Sequence, residues 1–274
     1  GTKRGGMTNT ALLGTLPTWD LSDLYPGKDS LELKADLVEA KADAEAFANE
    51  FRNKVLDLDG AVLAGAINEY ERQQERLGRA MSYAHLLYAG DITGPESGRF
   101  FQSIKEQVNA IATVILFFEL DLRRIEDADL EIKLETPELA RYLPWLRDMR
   151  AYRPYQLSEE VERLLHEKSV AGRTAWVRLF DQTIAELRFP FQGRDLTETE
   201  ILDRMSGSDG EERKLAAQSL GKVLEDNIRT FTLITNTLAK DKQIEDRWRG
   251  FERPISSRNL ANFVEDDVVN ALLK

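Results

Sequence analysis

One stretch of the chain decides the fold, Ile104-Lys-Glu-Gln-Val-Asn-Ala-Ile-Ala-Thr-Val-Ile-Leu-Phe-Phe-Glu-Leu-Asp-Leu122. When these residues are placed on a helix, apolar side chains occupy most of its faces, and a helix of that kind has to be buried. The least interrupted apolar part, Ala110 to Phe118, is far shorter than the roughly 20 residues that a membrane-spanning helix needs. The stretch therefore predicts a central helix with other helices packed around it.

Amphipathic helices are predicted on the N-terminal side of this stretch. Apolar residues recur at steps of three and four over residues 31–55, with Asp29 placed to cap the start of that helix. A second amphipathic helix is predicted over residues 60–88. The central helix is expected to begin at Pro95, because proline is tolerated in the first helical turn, and to extend to Arg124.

Three short helices are predicted on the C-terminal side of the central helix. Their start signals are Thr136-Pro137, the residues after Pro144, and Ser158 followed by two glutamates. The third helix is predicted to bury Val161, Leu164 and Leu165.

The only predicted sheet lies near residues 187–197. Apolar and polar residues alternate over 187–192, Gly193 provides a turn, and residues 194–196 form a second short strand. Pro190 cannot donate a backbone hydrogen bond, so the ribbon has to be an edge or an isolated hairpin. The predicted fold class is therefore mostly α, a multi-helix array or bundle with one short β-hairpin near residues 187–197.

Helices also follow the hairpin. Capping boxes are predicted at Thr197 to Glu200 and at Ser208 to Glu211, and a single long helix at about residues 211–242. A final helix starts at the acidic residues 265–267 and carries four apolar residues, Val268, Val269, Leu272 and Leu273. Because so short a helix has little stability alone, we expect the sequence to be a fragment whose missing C-terminal part covers this apolar stripe.

The composition excludes several classes of function. The chain holds 48 acidic against 37 basic residues, a net charge of −11, which opposes nucleic-acid binding because that affinity depends on Lys and Arg contacts to phosphates. The absence of cysteine excludes disulfides and Cys-ligated zinc, and it fits a cytoplasmic location. We expect no membrane partner, and only His85 and His166 can supply an imidazole.

Neither histidine lies in a complete catalytic motif. Zinc proteases place two histidines four residues apart on a helix with a glutamate between them, but in His166-Glu167-Lys-Ser-Val170 the fifth position, where the second histidine would stand, is Val170. His166 is therefore interpreted as a surface or interface residue, and His85 as a helix residue bonded to a neighbour or to water. No metal-ligating, cofactor-binding or catalytic residue is predicted in this chain.

Other reactive residue types also have structural explanations. The serines Ser82, Ser169 and Ser219 lack the Gly-x-Ser-x-Gly context of a nucleophile. Three carboxylate pairs stand at predicted helix starts, where the helix dipole accounts for them: Glu159 and Glu160, Glu211 and Glu212, Asp266 and Asp267. The run of alternating charges and aromatic residues at 240–253 is interpreted as a contact network.

Several segments, taken in order, resemble a known family. They are Trp19-Asp-Leu-Ser-Asp-Leu-Tyr-Pro-Gly27, Leu116-Phe-Phe-Glu-Leu120, residues 153–168, Asn236-Thr-Leu-Ala-Lys-Asp241 and Arg247-Trp-Arg-Gly-Phe251. Together they are similar to the N-terminal part of oligoendopeptidase F, in the thimet-oligopeptidase superfamily of zinc metalloendopeptidases. The resemblance covers nearly the whole chain.

The resemblance implies a helical wall of a deep channel that admits short peptides. In that family the zinc-binding His-Glu-x-x-His helix and its further ligand lie nearer the C-terminus, so zinc is implied for a full-length parent and none of its ligands for this chain. The implied organisation is a disordered or cloning-derived leader at 1–18, a helical oligoendopeptidase F-type domain at 19–185, and a hairpin with helices at 186–274 that begins the peptidase domain. The implied partners are short peptides and the missing catalytic domain.

Two alternatives to the hypothesis of a catalytically inactive channel wall remain open. The chain could be a self-standing helical module that binds peptides or a partner protein through the stripe at 268–273 and the face around Trp248 and Phe251. It could also be an enzyme that uses His85, His166 and carboxylates in a metal or acid–base site.

Overall fold

The computed structural model describes Thr15 and residues 17–274, so nearly all of the predicted leader lies outside the described residues. The helices before the hairpin are α1 (Leu31–Phe51), α2 (Gly60–Gly90), α3 (Pro95–Arg124), α4 (Asp127–Lys133), α5 (Pro137–Ala140), α6 (Leu143–Arg150), α7 (Glu159–Lys168) and α8 (Arg173–Glu186). The hairpin strands are β1 (Phe189–Phe191) and β2 (Arg194–Leu196). The helices after it are α9 (Glu198–Met205), α10 (Gly210–Asp226), α11 (Ile228–Arg249), α12 (Ser256–Ala261) and α13 (Asp266–Leu272). The mostly helical fold class is confirmed.

The predicted central helix is confirmed as α3, which packs against α1, α2 and α7. Its buried side chains meet those of α1 and α2 in an aromatic cluster. Phe47 lies edge-on to Phe118, with 5.0 Å between ring centroids, and Tyr70 lies 5.2 Å from Phe118. Together these rings form the centre of the main core. No helix in the described part of the chain has the length and hydropathy to span a membrane.

The first helix differs from the prediction at both ends. Its N-cap is Ser30 rather than Asp29, because the Ser30 hydroxyl oxygen accepts a hydrogen bond from the Leu33 amide at 3.3 Å. The helix ends at Phe51, and Asn53 then adopts a positive φ of 63°. Val55 consequently belongs to a separate 3₁₀ turn, Val55–Asp57, where it still enters the core.

The prediction for the inner face of α7 was wrong. Leu164 is 55% exposed and Leu165 is 37% exposed, and no residue of α7 is buried. The helix contacts α3 through polar side chains, described below, and these place its leucines toward solvent. The neighbouring helix α8 also buries none of its residues.

The hairpin was predicted correctly. Phe189 pairs with Leu196 and Phe191 with Arg194, so a two-residue turn connects the strands. Gln192 and Gly193 both have positive φ, at 49° and 81°, which is the backbone of a type I′ turn and suits the twist of a hairpin. Phe189, Phe191 and Leu196 are buried with Ile201 of α9 and Ala216 of α10 in a separate small core.

The helices after the hairpin confirm one predicted capping box and correct the other. Thr197 and Glu200 form the reciprocal hydrogen bonds of a capping box. The Ser208 to Glu211 box is absent, because Asp209 caps α10 by accepting from the Glu211 and Glu212 amides.

The predicted long helix is in fact two helices, α10 and α11. The chain breaks at Asn227, with φ −107° and ψ 12°, where the side-chain amide donates to the Val223 carbonyl at 2.9 Å. Asparagine competes in this way with the helical ladder. Leu215 and Ile228, both in the predicted apolar stripe, are exposed.

The final helix, α13, begins at the predicted acidic residues, with Glu265 as its N-cap. Its apolar stripe is exposed, and Leu272 reaches 86% exposure.

Candidate functional site

His166 lies at the contact between α7 and α3. Its Nδ1 is 2.7 Å from the Thr113 hydroxyl, and that hydroxyl donates to the Asn109 carbonyl at 2.8 Å. Which of the two groups donates in the contact between His166 Nδ1 and the Thr113 hydroxyl depends on the tautomer of the imidazole. This contact makes the imidazole part of the packing between two helices.

The backbone of His166 belongs to the same network. Its carbonyl accepts from the Asn109 side-chain amide at 3.0 Å and from the Ser169 hydroxyl at 2.8 Å. Burial lowers the pKa of His166 below its ordinary value, although the charges of Glu119 and Glu167 act in the opposite direction. The structure therefore supports the interpretation of His166 as an interface residue.

The lowered pKa of His166 gives a pH-dependent contribution to stability. Since the unfolded chain binds a proton near pH 6.5 more readily than the folded chain, stability should fall as pH decreases through that range. We expect the free energy of unfolding in urea to fall less between pH 7.5 and pH 5.5 in His166→Gln than in the unmodified protein. His85→Gln is the control for the loss of an imidazole. Equal pH dependence in His166→Gln and the unmodified protein would contradict this assignment.

The residues do not fit a zinc site. Among the described residues, no three His, Asp or Glu side chains come together as a group that could hold a metal ion. His85 is exposed on α2, where its ring lies 5.9 Å from that of Phe101. Tight zinc sites need three or four convergent protein ligands, and neither His85 nor His166 has such a set around it.

The candidate serines have structural surroundings. Ser82 is exposed, and the Ser219 hydroxyl donates to the Pro190 carbonyl at 2.6 Å. Ser169 donates to the backbone of His166, as described above, and not to a general base. None of the three is paired with a histidine side chain in the described part of the chain.

The carboxylate pairs stand in the first turns of α7, α10 and α13, as predicted. Glu159 also pairs with Arg52 of the segment after α1, with 2.6 Å between Nη1 and Oε1. Asp266 accepts from Asn259 at 2.8 Å and from Ser256 at 2.7 Å, and these bonds lower its pKa. All three pairs thus stand at helix starts, and Glu159 and Asp266 also contact side chains outside their own helices.

One polar contact between distant segments was not predicted from the sequence. Arg249, at the end of α11, binds Glu162 of α7 through two nitrogens, at 2.7 and 3.0 Å, and its Nε binds Glu245 at 2.7 Å. Beside it the rings of Tyr155 and Phe251 stack with centroids 4.0 Å apart. The run at 240–253 thus forms the contact network that its charge pattern indicated.

The bond from Arg249 stabilises the charged form of Glu162. Burial alone would raise the pKa of this carboxyl, but the hydrogen bonds from Arg249 and from the Leu157 amide outweigh burial and lower it. The pKa of Arg249 is raised in turn by Glu162. The two residues form one half-buried ion pair.

Two concave surfaces flank this ion pair. The first, about 1020 Å³, runs along α11 from Asn236 to Asp246 and includes the loop from Gly250 to Pro254. The second, about 480 Å³, lies between α11, α12 and the end of α3. Its charged lining comes from both signs: Arg123, Arg173, Arg249, Arg258, Lys242, Glu162, Asp241, Glu245 and Asp246. In the part of the chain that the structure describes, neither of these surfaces is lined by a histidine.

Comparisons with known protein sequences find similarity to oligopeptidases. Residues 121–189 match the family model described as oligopeptidase F. The chain is 24% identical to group B oligopeptidase PepB of Streptococcus agalactiae over 269 residues, which are 93% of this chain and 43% of that protein. It is 25% identical to oligopeptidase PepF of Bacillus subtilis over 275 residues, which are 94% of this chain and 39% of that protein.

Solved structures show the same fold. The crystal structure of oligoendopeptidase-F from Enterococcus faecium matches with a TM-score of 0.76 at 19% identity, covering 88% of this chain and 49% of that one. A putative peptidase from Chlamydophila abortus matches with a TM-score of 0.54, covering 93% of this chain and 43% of that one. The chain thus spans less than half the length of each of these proteins. In sequence, this chain is therefore similar to the N-terminal region of the oligopeptidase F family, and it shares its fold with the matched part of these solved structures.

Proposed function

We propose that this chain is the N-terminal, channel-wall region of an oligoendopeptidase F-like zinc metallopeptidase that hydrolyses short peptides. The observation that carries the proposal is the extent of the match. Relatives named as oligopeptidases align with 93–94% of this chain, while the alignment takes up only 39–43% of their own length. In this proposal, the catalytic residues belong to the part of the parent protein outside these 274 residues.

The distribution of burial supports the proposed role as one part of a larger protein. The first three helices have continuous buried faces, whereas no residue of α7, α8 or α13 is buried. Large apolar side chains remain exposed on these helices, among them Leu164, Phe180 and Leu272. An exposed apolar face of this kind suits a contact with another domain. We assign that contact to the catalytic domain of the parent protein.

The proposed domain organisation places a boundary just before the hairpin. Residues 19–185 form the helical oligoendopeptidase F-type domain, and residues 186–274 begin the peptidase domain. The separate small core around Phe189 and Ile201 supports this division, because it shares no residue with the cores of α1 to α6.

The proposed contribution of this chain to hydrolysis is shape and charge. The concave surface along α11 would form part of the channel wall, since a narrow channel selects peptides by size without chemistry of its own. Zinc is proposed only for the parent protein, because His85 and His166 lack the ligand set of a metal site. A cytoplasmic location is proposed from the cysteine-free composition.

A direct test of the inactive-fragment proposal is the zinc content of the 274-residue chain. After incubation with zinc and dialysis, elemental analysis should find far less than one zinc per chain, and His166→Gln should not change that amount. Stoichiometric zinc that is lost in His166→Gln would contradict the proposal and favour the enzyme alternative with His166 as a ligand.

A second candidate is the self-standing helical module, favoured by the exposed stripe of α13 and by Trp248, which is 61% exposed. Phe251 stacks on Tyr155 and is partly exposed, and it also lines the two concave surfaces described above. Sedimentation of the purified chain, with and without the catalytic region of the same gene, separates the two candidates. A module should capture a defined partner when the catalytic region of the same gene is absent, whereas the channel wall should bind that catalytic region.

A further inference from the structure

A long groove of about 710 Å³ runs between α1 and α3. Its lining comes from these two helices and from the turn before α1, and no residue of α2 lines it. The wall on α1 consists of residues at steps of four, three and four, namely Lys34, Val38, Lys41 and Glu45. Residues at this spacing lie in one stripe along a helix.

The wall on α3 is a second stripe with the same kind of spacing. It consists of Phe100, Ser103, Gln107, Ala110 and Val114, all exposed or half-buried. From its first to its last residue this stripe is about 21 Å long, at about 1.5 Å per residue of helix. Two adjoining stripes of this kind form a seat for one further helix, because helices pack through residues at steps of three and four.

The groove has an apolar floor. Four buried side chains line it from beneath, Leu33, Leu37, Ile104 and Ile111. On the α1 wall, Val38 is 71% exposed, so its side chain is available to a partner. An apolar helix face laid in the groove would cover Val38 and the half-buried Val114 and gain hydrophobic contact.

The charged residues of α1 are divided between two sides of the helix. Acidic residues meet α2, where Arg76 binds Asp43 at 2.7 Å and Glu39 at 3.6 Å. The lysines Lys34 and Lys41 line the groove instead. Each side of α1 therefore presents a different charge.

The lysines of the groove have no acidic partner in the part of the chain that the structure describes. The groove carries three of them, Lys28, Lys34 and Lys41. Among the described residues, the lysines that form ion pairs are Lys222 and Lys242, both far from this groove in sequence. Only two carboxylates, Asp29 and Glu45, stand in the described lining of the groove. The groove thus has a surplus of positive charge in a chain of net charge −11.

We propose that this groove binds an amphipathic α-helix of another polypeptide, with an apolar stripe flanked by acidic residues. The apolar stripe packs on Val38 and Val114, and the flanking carboxylates pair with Lys34 and Lys41. The N-terminal residues 1–14 of this chain do not offer such a flank, because they contain two basic residues and no acidic one. This site is independent of the proposed peptidase function, and its test uses the 274-residue chain alone.

Fluorescence anisotropy with two labelled peptides tests the proposal. Each peptide has about three heptads with leucine at positions a and d, and the flanking positions e and g hold glutamate in one peptide and lysine in the other. We expect saturable binding of the glutamate peptide and about tenfold weaker binding of the lysine peptide. General attraction to a chain of net charge −11 would favour the lysine peptide instead. Equal affinity for both peptides, or no saturable binding of the glutamate peptide, would overturn the proposal.

Charge reversal in the groove should reverse this preference. In the double variant Lys34→Glu with Lys41→Glu, we expect about tenfold weaker binding of the glutamate peptide and stronger binding of the lysine peptide. The control is Lys54→Glu with Lys214→Glu, which changes the net charge equally at two exposed lysines outside the groove. Equal effects of the two double variants would also overturn the proposal.

A substitution on the wall tests the apolar contact. Val38→Glu should abolish binding of the glutamate peptide without lowering the unfolding temperature, because this side chain is exposed. The control is Val62→Glu on α2, where the valine is 47% exposed and lies outside the groove. Unchanged affinity in Val38→Glu would exclude the groove as the site. Sedimentation of the chain alone tests a different occupant, since a dimer that Val38→Glu abolishes would assign the groove to a second copy and overturn the proposal.

Discussion

Replacing Phe47 by alanine should lower the free energy of unfolding by about 3–5 kcal/mol, the typical cost of removing a buried phenylalanine. Phe47 is fully buried on α1, where its ring contacts those of Phe51, Tyr70 and Phe118. The substitution leaves a cavity at the point where α1, α2 and α3 meet, and a rigid aromatic cluster cannot collapse into it. Urea unfolding followed by circular dichroism measures the effect.

The control for Phe47→Ala is Val38→Ala on the same helix. Val38 is 71% exposed, so its substitution removes little packing and should change the unfolding free energy by less than about 0.5 kcal/mol. If Phe47→Ala cost no more than Val38→Ala, α1 would not be part of the main core, and the described packing of the first three helices would be wrong.

Replacing Arg249 by methionine should have the second-largest effect, a loss of about 2–3 kcal/mol at pH 7. Removing one partner of a fully buried ion pair costs about 3–5 kcal/mol, because the other charge stays buried without compensation. Here the side chains of Arg249 and Glu162 are 18% and 11% exposed, so solvent reduces the cost. The measurement is urea unfolding, and the double variant Arg249→Met with Glu162→Gln should recover part of the loss.

The pH dependence of this effect has a definite sign. Because the pKa of Glu162 is lowered by folding, its pairing adds stability above the ordinary value of 4.5, and that stability is lost as pH falls through the folded value. The difference between Arg249→Met and the unmodified protein should therefore shrink at pH 3. Lys222→Met is the control, since its pair with Asp226 is exposed and should contribute little. A loss in Arg249→Met as small as that control would show that the pair does not hold α11 to α7.

The sequence could predict those features of the fold that depend on a pattern within a single helix or hairpin. The apolar stretch at 104–122 and the hairpin around Gly193 have periodicities that only one structure satisfies, and both appear as predicted. The capping box at Thr197 is equally local, since two side chains satisfy each other's backbone partners. Such features depend on neighbouring residues alone.

The errors concern features that neighbours do not determine. The leucines of α7 have a helical period, but the polar contacts of His166 and Asn109 decide which face meets α3. The break at Asn227 is a local exception, because its side-chain amide bonds to a carbonyl only four residues away, and the apolar stripe of the sequence continues across it. The helices α4, α8 and α12 were not predicted at all, and α8 has no buried face that would have given a strong apolar period.

The candidate sites show the same limit. The absence of a complete zinc motif could be read from sequence, because it depends on the spacing of two histidines. The pairing of Arg249 with Glu162 spans 87 positions, and the hydrogen bond from Arg178 of α8 to Gln102 of α3 spans 76 positions. No local pattern reports contacts over such separations, and only the packing of the helices reveals them.

Peptide hydrolysis by the full product of its gene tests most directly the proposal that this chain is the non-catalytic part of a zinc peptidase. A quenched fluorescent peptide of about ten residues should be cleaved by the full product in a zinc-dependent reaction, and should remain intact with the 274-residue chain at the same molar concentration. Zinc-dependent cleavage by the 274-residue chain alone, or no cleavage by a zinc-loaded full product, would contradict the account.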